Sequence, residues 1–276
     1  MAVKSIRTAL LICAGLGALA SACERTGEET SQAETATVDA AAKAKTAATV
    51  DYDAIVASPE RSDADRALDA ARKPAESLAF FQIKPGQTVF EIEAGGGYFT
   101  EIYSLAVGPQ GSVVMQNFQG FADYAADEIA GRFTEGRLVN VRRSISLHDD
   151  LDAADDSVDV ATWVQGPHEL YYKPAPDSSF GDPAGSFAEI YRIVKPGGVF
   201  AVIDHAAEPD APTSTGNDLH RIDKSHVIAL AEAAGFALEA ESDFLANPED
   251  DRTLLAFDPI ITGKTDQFAL RFRKPE

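Results

Sequence analysis

The chain is almost free of cysteine. Only Cys13 and Cys23 occur among its 276 residues, and both lie near the N-terminus. The rest of the chain therefore cannot form disulfides, build a thiolate metal site or use a cysteine nucleophile. A body of about 220 residues is long enough to be stabilised by one hydrophobic core instead.

A long apolar segment is also missing. The apolar run of residues 9–20 follows Lys4 and Arg7 and is too short to span a membrane. A basic start, a short apolar run and then small residues are typical of a secretory signal peptide. We place this signal peptide at residues 1–22.

The end of the signal resembles a bacterial lipobox, Leu19-Ala20-Ser21-Ala22-Cys23. In such a box the cysteine is lipidated and becomes the new N-terminus; ordinary cleavage at the same bond is the alternative. Lipidation is favoured because Cys23 would otherwise be a lone thiol in a secreted protein. By the sorting pattern of these lipoproteins, Glu24 in place of Asp indicates the outer membrane. We expect an exported, lipid-anchored protein that faces the periplasm.

Basic residues are scarce as well. The chain has 24 Lys and Arg against 44 Asp and Glu, and loss of the signal removes Lys4 and Arg7, which leaves 22. This balance excludes the basic surface that binds nucleic acid and favours neutral or cationic ligands, although solubility alone would also explain it. Anionic lipids would repel the domain, so only the N-terminal lipid would hold it at a membrane.

Two parts follow the signal peptide. Residues 24–50 contain no aromatic residue and are rich in Ala, Thr and Glu, so we assign residues 23–55 to a flexible tether. Residues 56–276 form the predicted domain. Its strand patterns alternate with helix patterns, which predicts a mostly parallel α/β sheet with helices on both faces.

Local signals place several helices in this domain. The helical pattern of residues 61–81 is bent or split by Pro74, and another helix covers residues 121–133. A late helix is capped by Asp223 and closed by Gly235. Strands are expected to begin at Thr88, Gly111, Arg137, Ser157, Val199, Ala237 and Gln267.

The first predicted strand, Thr88–Glu93, leads into a glycine turn and then a helix from Tyr98. The turn has neither the GxGxxG pattern of dinucleotide sites nor the P-loop lysine. Gly95–Gly97 would let the backbone approach a ligand closely, and the helix would present free N–H groups to it. Glu91 within the strand suits a ligand with an ammonium group and a ribose.

The stretch FEIEAGGGYFTEI resembles motif I of class I S-adenosylmethionine-dependent methyltransferases. Stretches resembling their later motifs follow in order: SVDVATWVQGPHEL, FAEIYRIVKPGGVFAVIDH and ALAEAAGFAL. The chain is similar to an exported bacterial group that shares the PxxxLxFFxIKPGxxVxEI pattern of residues 74–92, HRID and NPEDDRT. The resemblance covers residues 58–275. It implies a Rossmann-like seven-stranded sheet, mostly parallel with the last strand antiparallel, and S-adenosylmethionine as the cofactor.

The resemblance also assigns cofactor-binding positions. Glu91 would hold the loop and the ammonium group, and Asn117, or Gln116 in a shifted register, replaces the acid that grips the ribose hydroxyls. Either acid after the third strand could lie near adenine, or both belong to a solvated loop. The expected cofactor-binding residues are Glu91, Gly95, Gly96, Gly97, Tyr98, Asn117, Asp149 and Asp150.

Glu93 departs from the motif, because it stands where the first glycine is usual. One interpretation directs its side chain into solvent or toward a basic neighbour. The other adds its negative charge beside a cationic ligand.

Candidate catalytic bases follow the fourth and fifth strands. They are His168, Asp204 and His205, and the alternative for each histidine is a structural hydrogen bond. With Glu169 and His220 these residues could supply nitrogen and oxygen ligands. No HxxxH or HxH spacing occurs, so we predict no metal site.

Three functions fit these features. The first is a methyltransferase that acts on a small molecule or an envelope component. The second is an exported protein of the same fold that only binds a nucleoside-like or cationic ligand, which Glu93, Asn117 and the signal would explain. The third, weaker one is a metal-dependent hydrolase.

Overall fold

The computed structural model describes residues 50–175 and 177–276. The predicted signal peptide, the lipidation site Cys23 and the predicted tether up to residue 49 lie outside the described residues. They therefore stay predictions.

Within the described residues, seven strands form one sheet. Their number agrees with the alternating pattern of the sequence. The strands are β1 (Thr88–Ile92), β2 (Ser112–Asn117), β3 (Val141–Ile145), β4 (Val158–Val164), β5 (Val194–His205), β6 (Ala237–Ser242) and β7 (Gln267–Arg273).

The strand order is β3-β2-β1-β4-β5-β7-β6. The first five strands run parallel, and β7 is antiparallel to both of its neighbours, β5 and β6. The predicted mostly parallel sheet with an antiparallel last strand is confirmed. The chain leaves β1 toward β2 on one side and later returns to β4 on the other. The turns after β1 and β4 therefore flank a topological switch point, where ligands bind in such sheets.

Helices flank the sheet, and none in residues 50–175 and 177–276 combines the length and apolar character needed to cross a membrane. Short 3₁₀ helices cover Gly108–Gln110, Thr134–Gly136 and Pro167–Tyr171. The α-helices are α1 (Tyr52–Val56), α2 (Asp63–Arg66), α3 (Asp69–Arg72), α4 (Pro74–Phe81), α5 (Tyr98–Val107), α6 (Gln119–Tyr124), α7 (Ala126–Arg132), α8 (Pro183–Ile193), α9 (Thr215–Leu219) and α10 (Lys224–Ala234).

Two expectations for the N-terminal region change. The tether boundary at residue 55 was placed too late, because Tyr52 belongs to α1 and donates a hydrogen bond to the Ile83 carbonyl at 2.8 Å. The helical pattern of residues 61–81 is divided into α2, α3 and α4. The predicted break is present at Pro74, which starts α4 after Lys73 adopts a left-handed conformation.

The sheet is covered on both faces because its strands alternate their side chains between two cores. Phe90 and Ile92 pack in a core with residues of α8 and α10. Val89, which directly precedes Phe90, packs in a second core with residues of α4 and α5. As predicted, the Asp223 side chain accepts the Ser225 N–H to cap α10.

Candidate active site

A cavity of about 690 Å³ opens at the switch point. One wall is the turn after β1 with Glu91 and Gly95, and the opposite wall holds Gln165 and Glu169 after β4. Arg72 of α3 and Glu128 of α7 also line it. We call the β1 side the glycine wall and the β4 side the histidine wall, after the histidines that contact Glu169.

The glycine turn is built from left-handed backbone. Gly95 and Gly97 have φ angles of +58° and +86°, which residues other than glycine rarely adopt. A side chain at Gly96 would overlap the Glu128 carboxylate, so the glycine there lets α7 pack against the turn. Gly95 and Gly96 line the cavity, whereas Gly97 does not, and the close approach at Gly96 is to α7.

Asn117 holds this turn in place. Its Oδ1 accepts the Gly95 N–H at 2.8 Å, and its Nδ2 donates to the Gly95 carbonyl at 3.1 Å. Gln116 acts in the same way, because its Oε1 accepts the Glu93 N–H at 2.8 Å and its Nε2 donates to the Ser146 carbonyl at 2.8 Å. Both amides are buried and engaged with backbone groups. The expectation that one of them binds ribose hydroxyls is corrected to a role in shaping the turn.

Glu91 is the buried carboxyl of the glycine wall. Burial raises its pKa to about 8, although a hydrogen bond from Thr100 and the charges of Arg132 and Arg72 act in the opposite direction. It is mostly uncharged near neutral pH, and a cation entering the cavity would favour its ionised form.

Glu93 is buried at the cavity wall and does not point into bulk solvent, so the first interpretation of its orientation is wrong on that point. Its backbone is left-handed, with φ at +55°, and its Oε2 accepts the Trp163 Nε1–H at 3.0 Å. His148 Nε2 lies 3.6 Å from the same oxygen, and burial lowers the pKa of His148 to about 4. The neighbour is therefore an uncharged imidazole. Burial, with a smaller contribution from the charge of Glu169, raises the pKa of Glu93 far above its usual range.

Arg72 was not anticipated from the sequence. Its guanidinium lies 4.5 Å from the centroid of the Tyr98 ring, at the cavity wall. Among the described residues it has no hydrogen-bond acceptor, whereas Arg132 is held by Asp65 and Glu101. Tyr98 keeps its predicted place beside the cavity, and its hydroxyl donates to Asp69 at 2.6 Å. The wall thus offers one uncommitted cation.

The acids after β3 do not line the described cavity. Asp149 accepts the backbone N–H of Asp182 at 2.8 Å, which fastens this loop to the start of α8, and Asp150 is exposed. The expectation that either lies at a cofactor is corrected, and for Asp150 the solvated loop is the better description. His148 of the same loop is fully buried against Trp163, 4.8 Å between ring centroids. His148 was not anticipated from the sequence, although its position after the carboxyl end of β3 indicates a residue near the binding edge of the sheet.

The predicted bases come together behind the histidine wall. Asp204 Oδ1 lies 2.7 Å from His168 Nδ1, and its Oδ2 accepts the His168 backbone N–H at 2.9 Å. Both residues are fully buried. His205 Nδ1 pairs with the Thr265 hydroxyl at 2.7 Å, and burial lowers the pKa of His205 to about 3. None of the three lines the cavity in the described part of the chain, so direct contact with an acceptor is not supported.

Glu169 is the member of this group that faces the cavity. Its Oε1 lies 3.2 Å from His168 Nε2 and 3.1 Å from His220 Nδ1. Burial alone would raise its pKa, but the hydrogen bonds from the two histidines lower it to about 2. For His168, burial is outweighed by Asp204 and Glu169, which raise its pKa to about 10.

No protein-family model matches the chain. Over 123 residues, 44% of this chain, it is 27% identical to the ubiquinone/menaquinone biosynthesis C-methyltransferase UbiE of Hydrogenovibrio crunogenus. The match spans 43% of that relative's length.

Solved structures share the fold over most of the chain. An S-adenosylmethionine-dependent methyltransferase from Aquifex aeolicus has a TM-score of 0.51 at 19% identity, covering 78% of this chain and 100% of that one. The [4+2]-cyclase SpnF has a TM-score of 0.52 at 20% identity, covering 77% and 81%. The chain thus has the class I S-adenosylmethionine-dependent methyltransferase fold. Identities this low show the fold alone, and the cyclase illustrates that the same fold hosts other reactions.

Proposed function

We propose that this protein is an S-adenosylmethionine-dependent methyltransferase that acts on a small molecule or an envelope component. The observation that carries the proposal is the glycine turn with Glu91, which opens on a cavity of about 690 Å³ at the switch point of this fold. When bound, the cofactor supplies an electrophilic methyl group on a sulfonium.

The groups on the glycine wall fit the amino-acid part of this cofactor. The uncommitted guanidinium of Arg72 would bind its carboxylate, as Arg does in charge-assisted pairs. Glu91 would face its ammonium group and become ionised as the cation arrives. The turn at Gly95 leaves the backbone accessible between them.

A different residue takes the ribose. Asn117 is committed to Gly95, so the second strand offers no free acceptor. Glu128 lines the cavity beside Gly96, is exposed, and has no hydrogen-bond partner among the described residues. We assign the ribose hydroxyls to the Glu128 carboxylate, which supplies the charge-assisted bond that an amide lacks.

The histidine wall would hold the acceptor. Glu169 presents a charged carboxylate there, while His168 and Asp204 fix its surroundings from behind. Methyl transfer depends mostly on alignment of the acceptor nucleophile with the methyl group in a dry site. A hydroxyl acceptor bonded to Glu169 would be positioned in this way, and the Glu169 carboxylate would accept its proton as the acceptor oxygen takes the methyl group.

The features that favoured a protein that only binds ligands now have structural roles. Asn117 fastens the turn, and Glu93 forms a buried hydrogen bond with Trp163. Glu128 can supply the ribose-binding acid that Asn117 replaces, so neither departure from the motif counts against the catalytic function, which is the one we favour.

A binding and transfer experiment tests the proposal. S-adenosylmethionine and S-adenosylhomocysteine are titrated into the protein by calorimetry, and methyl-labelled cofactor is then incubated with a small-molecule extract. Gly95→Asp should abolish both signals, because it places a charged side chain in the turn at positive φ. Gly86→Asp is the matched control, since Gly86 also has positive φ but lies in open space before β1. If neither nucleoside binds at millimolar concentration, the proposal is wrong.

Export and lipidation at Cys23 belong to the same proposal. An outer-membrane anchor facing the periplasm would bring the domain to an envelope acceptor, and the acidic charge argues against a nucleic-acid substrate. Mass spectrometry of the mature N-terminus tests this: an unmodified Cys23 would contradict the anchor.

A further inference from the structure

Three donor atoms form a small triangle at the histidine wall. His168 Nε2 and His220 Nδ1 are 3.3 Å apart, and Glu169 Oε1 lies 3.2 Å from the first and 3.1 Å from the second. The atoms come from the 3₁₀ helix after β4 and from the end of α9, which are distant in sequence. Residue spacing could not reveal this cluster.

The size of the triangle matches a metal site. Zinc binds His nitrogen and carboxylate oxygen at about 2.0–2.2 Å, which in a tetrahedron separates the donors by roughly 3.3–3.6 Å. The three separations here are only slightly shorter, so a small outward movement of the side chains would bring them into this range. Two His and one carboxylate are also a ligand set of catalytic zinc sites, which leave a fourth position open.

Hydrogen bonding alone satisfies this triangle poorly. If both histidines donate to Glu169 Oε1, two N–H groups face each other across the 3.3 Å side. Each ring nitrogen can hold only one proton, so the three contacts cannot all be favourable at once. A metal cation bound by the three atoms would remove this repulsion, because both nitrogens and the oxygen could then donate a lone pair to the ion.

The surroundings also prepare His168 as a ligand. Asp204 Oδ1 lies 2.7 Å from Nδ1, which keeps a proton on Nδ1 and turns Nε2 toward the triangle, where the ion would take the place of the Nε2 proton. This carboxylate–histidine arrangement is the usual support of a metal-binding imidazole. Glu169 and Asp204 together would balance the double positive charge of the ion.

His220 is held for the same purpose. It has a left-handed backbone with φ at +50°, and its ring lies between Tyr172 and Phe257, with centroid separations of 4.5 and 4.9 Å. The two rings restrict its orientation, and a left-handed non-glycine residue costs backbone energy that is common at functional sites.

We propose that His168, Glu169 and His220 bind a divalent transition-metal ion of the zinc class at the cavity wall. The site shares Glu169 with the acceptor side of the proposed methyl transfer. Metal binding is nevertheless measured without any nucleoside, so its failure and that of the methyl transfer can be told apart. The ligand it takes is the metal itself, with its open position beside the cavity that Glu169 lines.

Metal titration of chelator-treated, untagged protein tests the site. Zn²⁺ binding is followed by calorimetry, and Co²⁺ binding is followed by the visible absorption of a four-coordinate ion. We expect one ion per chain. His220→Ala and Glu169→Gln should each weaken binding by about 100-fold or more, exceeding the 10–100-fold typical for loss of an outer-shell partner. Asp204→Asn should fall within that smaller range.

His226→Ala is the matched control. His226 bonds to the Ala211 carbonyl at 3.0 Å outside the triangle, so its loss should leave metal binding unchanged. His220 and Glu169 are partly accessible, so their variants are better tolerated than a change at the fully buried His168, and circular dichroism checks their folding. Absence of stoichiometric Zn²⁺ binding by folded wild-type protein would overturn the proposal. Zn²⁺ binding by His220→Ala and Glu169→Gln that is as tight as binding by the wild-type protein would also overturn it.

Discussion

The two walls of the cavity carry glutamates in opposite charge states. Burial raises the pKa of Glu91 on the glycine wall to about 8. On the histidine wall burial acts in the same direction on Glu169, but hydrogen bonds from His168 and His220 lower its pKa to about 2. Burial is common to both residues, so the partners decide the charge.

Because of this difference, the two walls suit different parts of a ligand. The glycine wall has a carboxyl that is uncharged until a cation arrives, whereas the histidine wall has a carboxylate that is already charged. A ligand with an ammonium group would therefore release a proton from Glu91 when it binds near neutral pH. Four variants test this comparison, taken from the largest expected effect to the smallest.

Glu91→Gln should change how stability depends on pH. Unfolded Glu91 loses its proton near 4.5 and folded Glu91 near 8, so the folded state binds more protons between these values. The free energy of unfolding therefore falls as pH rises, by about 1.4 kcal/mol per pH unit from this residue. Without it, the decline between about pH 5 and 8 should shrink by roughly 4 kcal/mol. Urea unfolding at several pH values measures the difference.

The exposed Glu76→Gln on α4 is the control and should leave the pH dependence as it is. An unaltered pH dependence in Glu91→Gln would mean that Glu91 is charged in the folded protein. The contrast between the two walls would then disappear.

Asn117→Ala tests whether the glycine wall is built by the protein or by its ligand. The change leaves the Gly95 N–H and carbonyl without partners, which should lower the free energy of unfolding by roughly 2–4 kcal/mol without any nucleoside. Gln119→Ala, exposed just beyond β2, should change it little. If Asn117 bound ribose instead, cofactor affinity would fall while the stability of the free protein stayed the same.

The sheet could be predicted from the sequence because each strand and turn carries a local signal. The strand starting at Thr88, the capping of α10 by Asp223 and the break at Pro74 depend on neighbours in the chain. The exact ends of helices depend on packing. Residues 121–133 formed a single pattern, yet Ala125 separates α6 from α7.

The site could be predicted only where one segment builds it. Glu91 and Gly95 follow each other in the motif and line the cavity together. The roles of Asn117 and Asp149 depend on which backbone groups they meet across the fold. The triangle around Glu169 joins segments about 50 residues apart, so no spacing rule could find it.

Arg72→Met tests whether the glycine wall binds the carboxylate of the ligand. Because Arg72 has no hydrogen-bond acceptor among the described residues, its loss should hardly change the stability of the free protein. Affinity for S-adenosylhomocysteine should fall roughly 10–100-fold, the usual effect of removing a hydrogen bond to a charged group. Calorimetry measures it, with the exposed Arg143→Met of β3 as control. If Arg72→Met and Arg143→Met bind S-adenosylhomocysteine equally well, the ligand's carboxylate does not bind Arg72.

Glu93→Gln should have the smallest effect on binding. Burial raises the pKa of Glu93 well above its usual range, which favours the uncharged carboxyl, and an amide oxygen can accept the same Trp163 N–H bond. Affinity should change by less than about twofold for both the sulfonium cofactor and its neutral thioether product. Glu93→Leu removes the acceptor and should alter the fluorescence of this single tryptophan. A charge on Glu93 would appear as weaker binding of the sulfonium alone in Glu93→Gln. In that case hydrogen-bond partners, and not burial, would set the charge of Glu93 on the glycine wall, as they set the charge of Glu169 on the histidine wall.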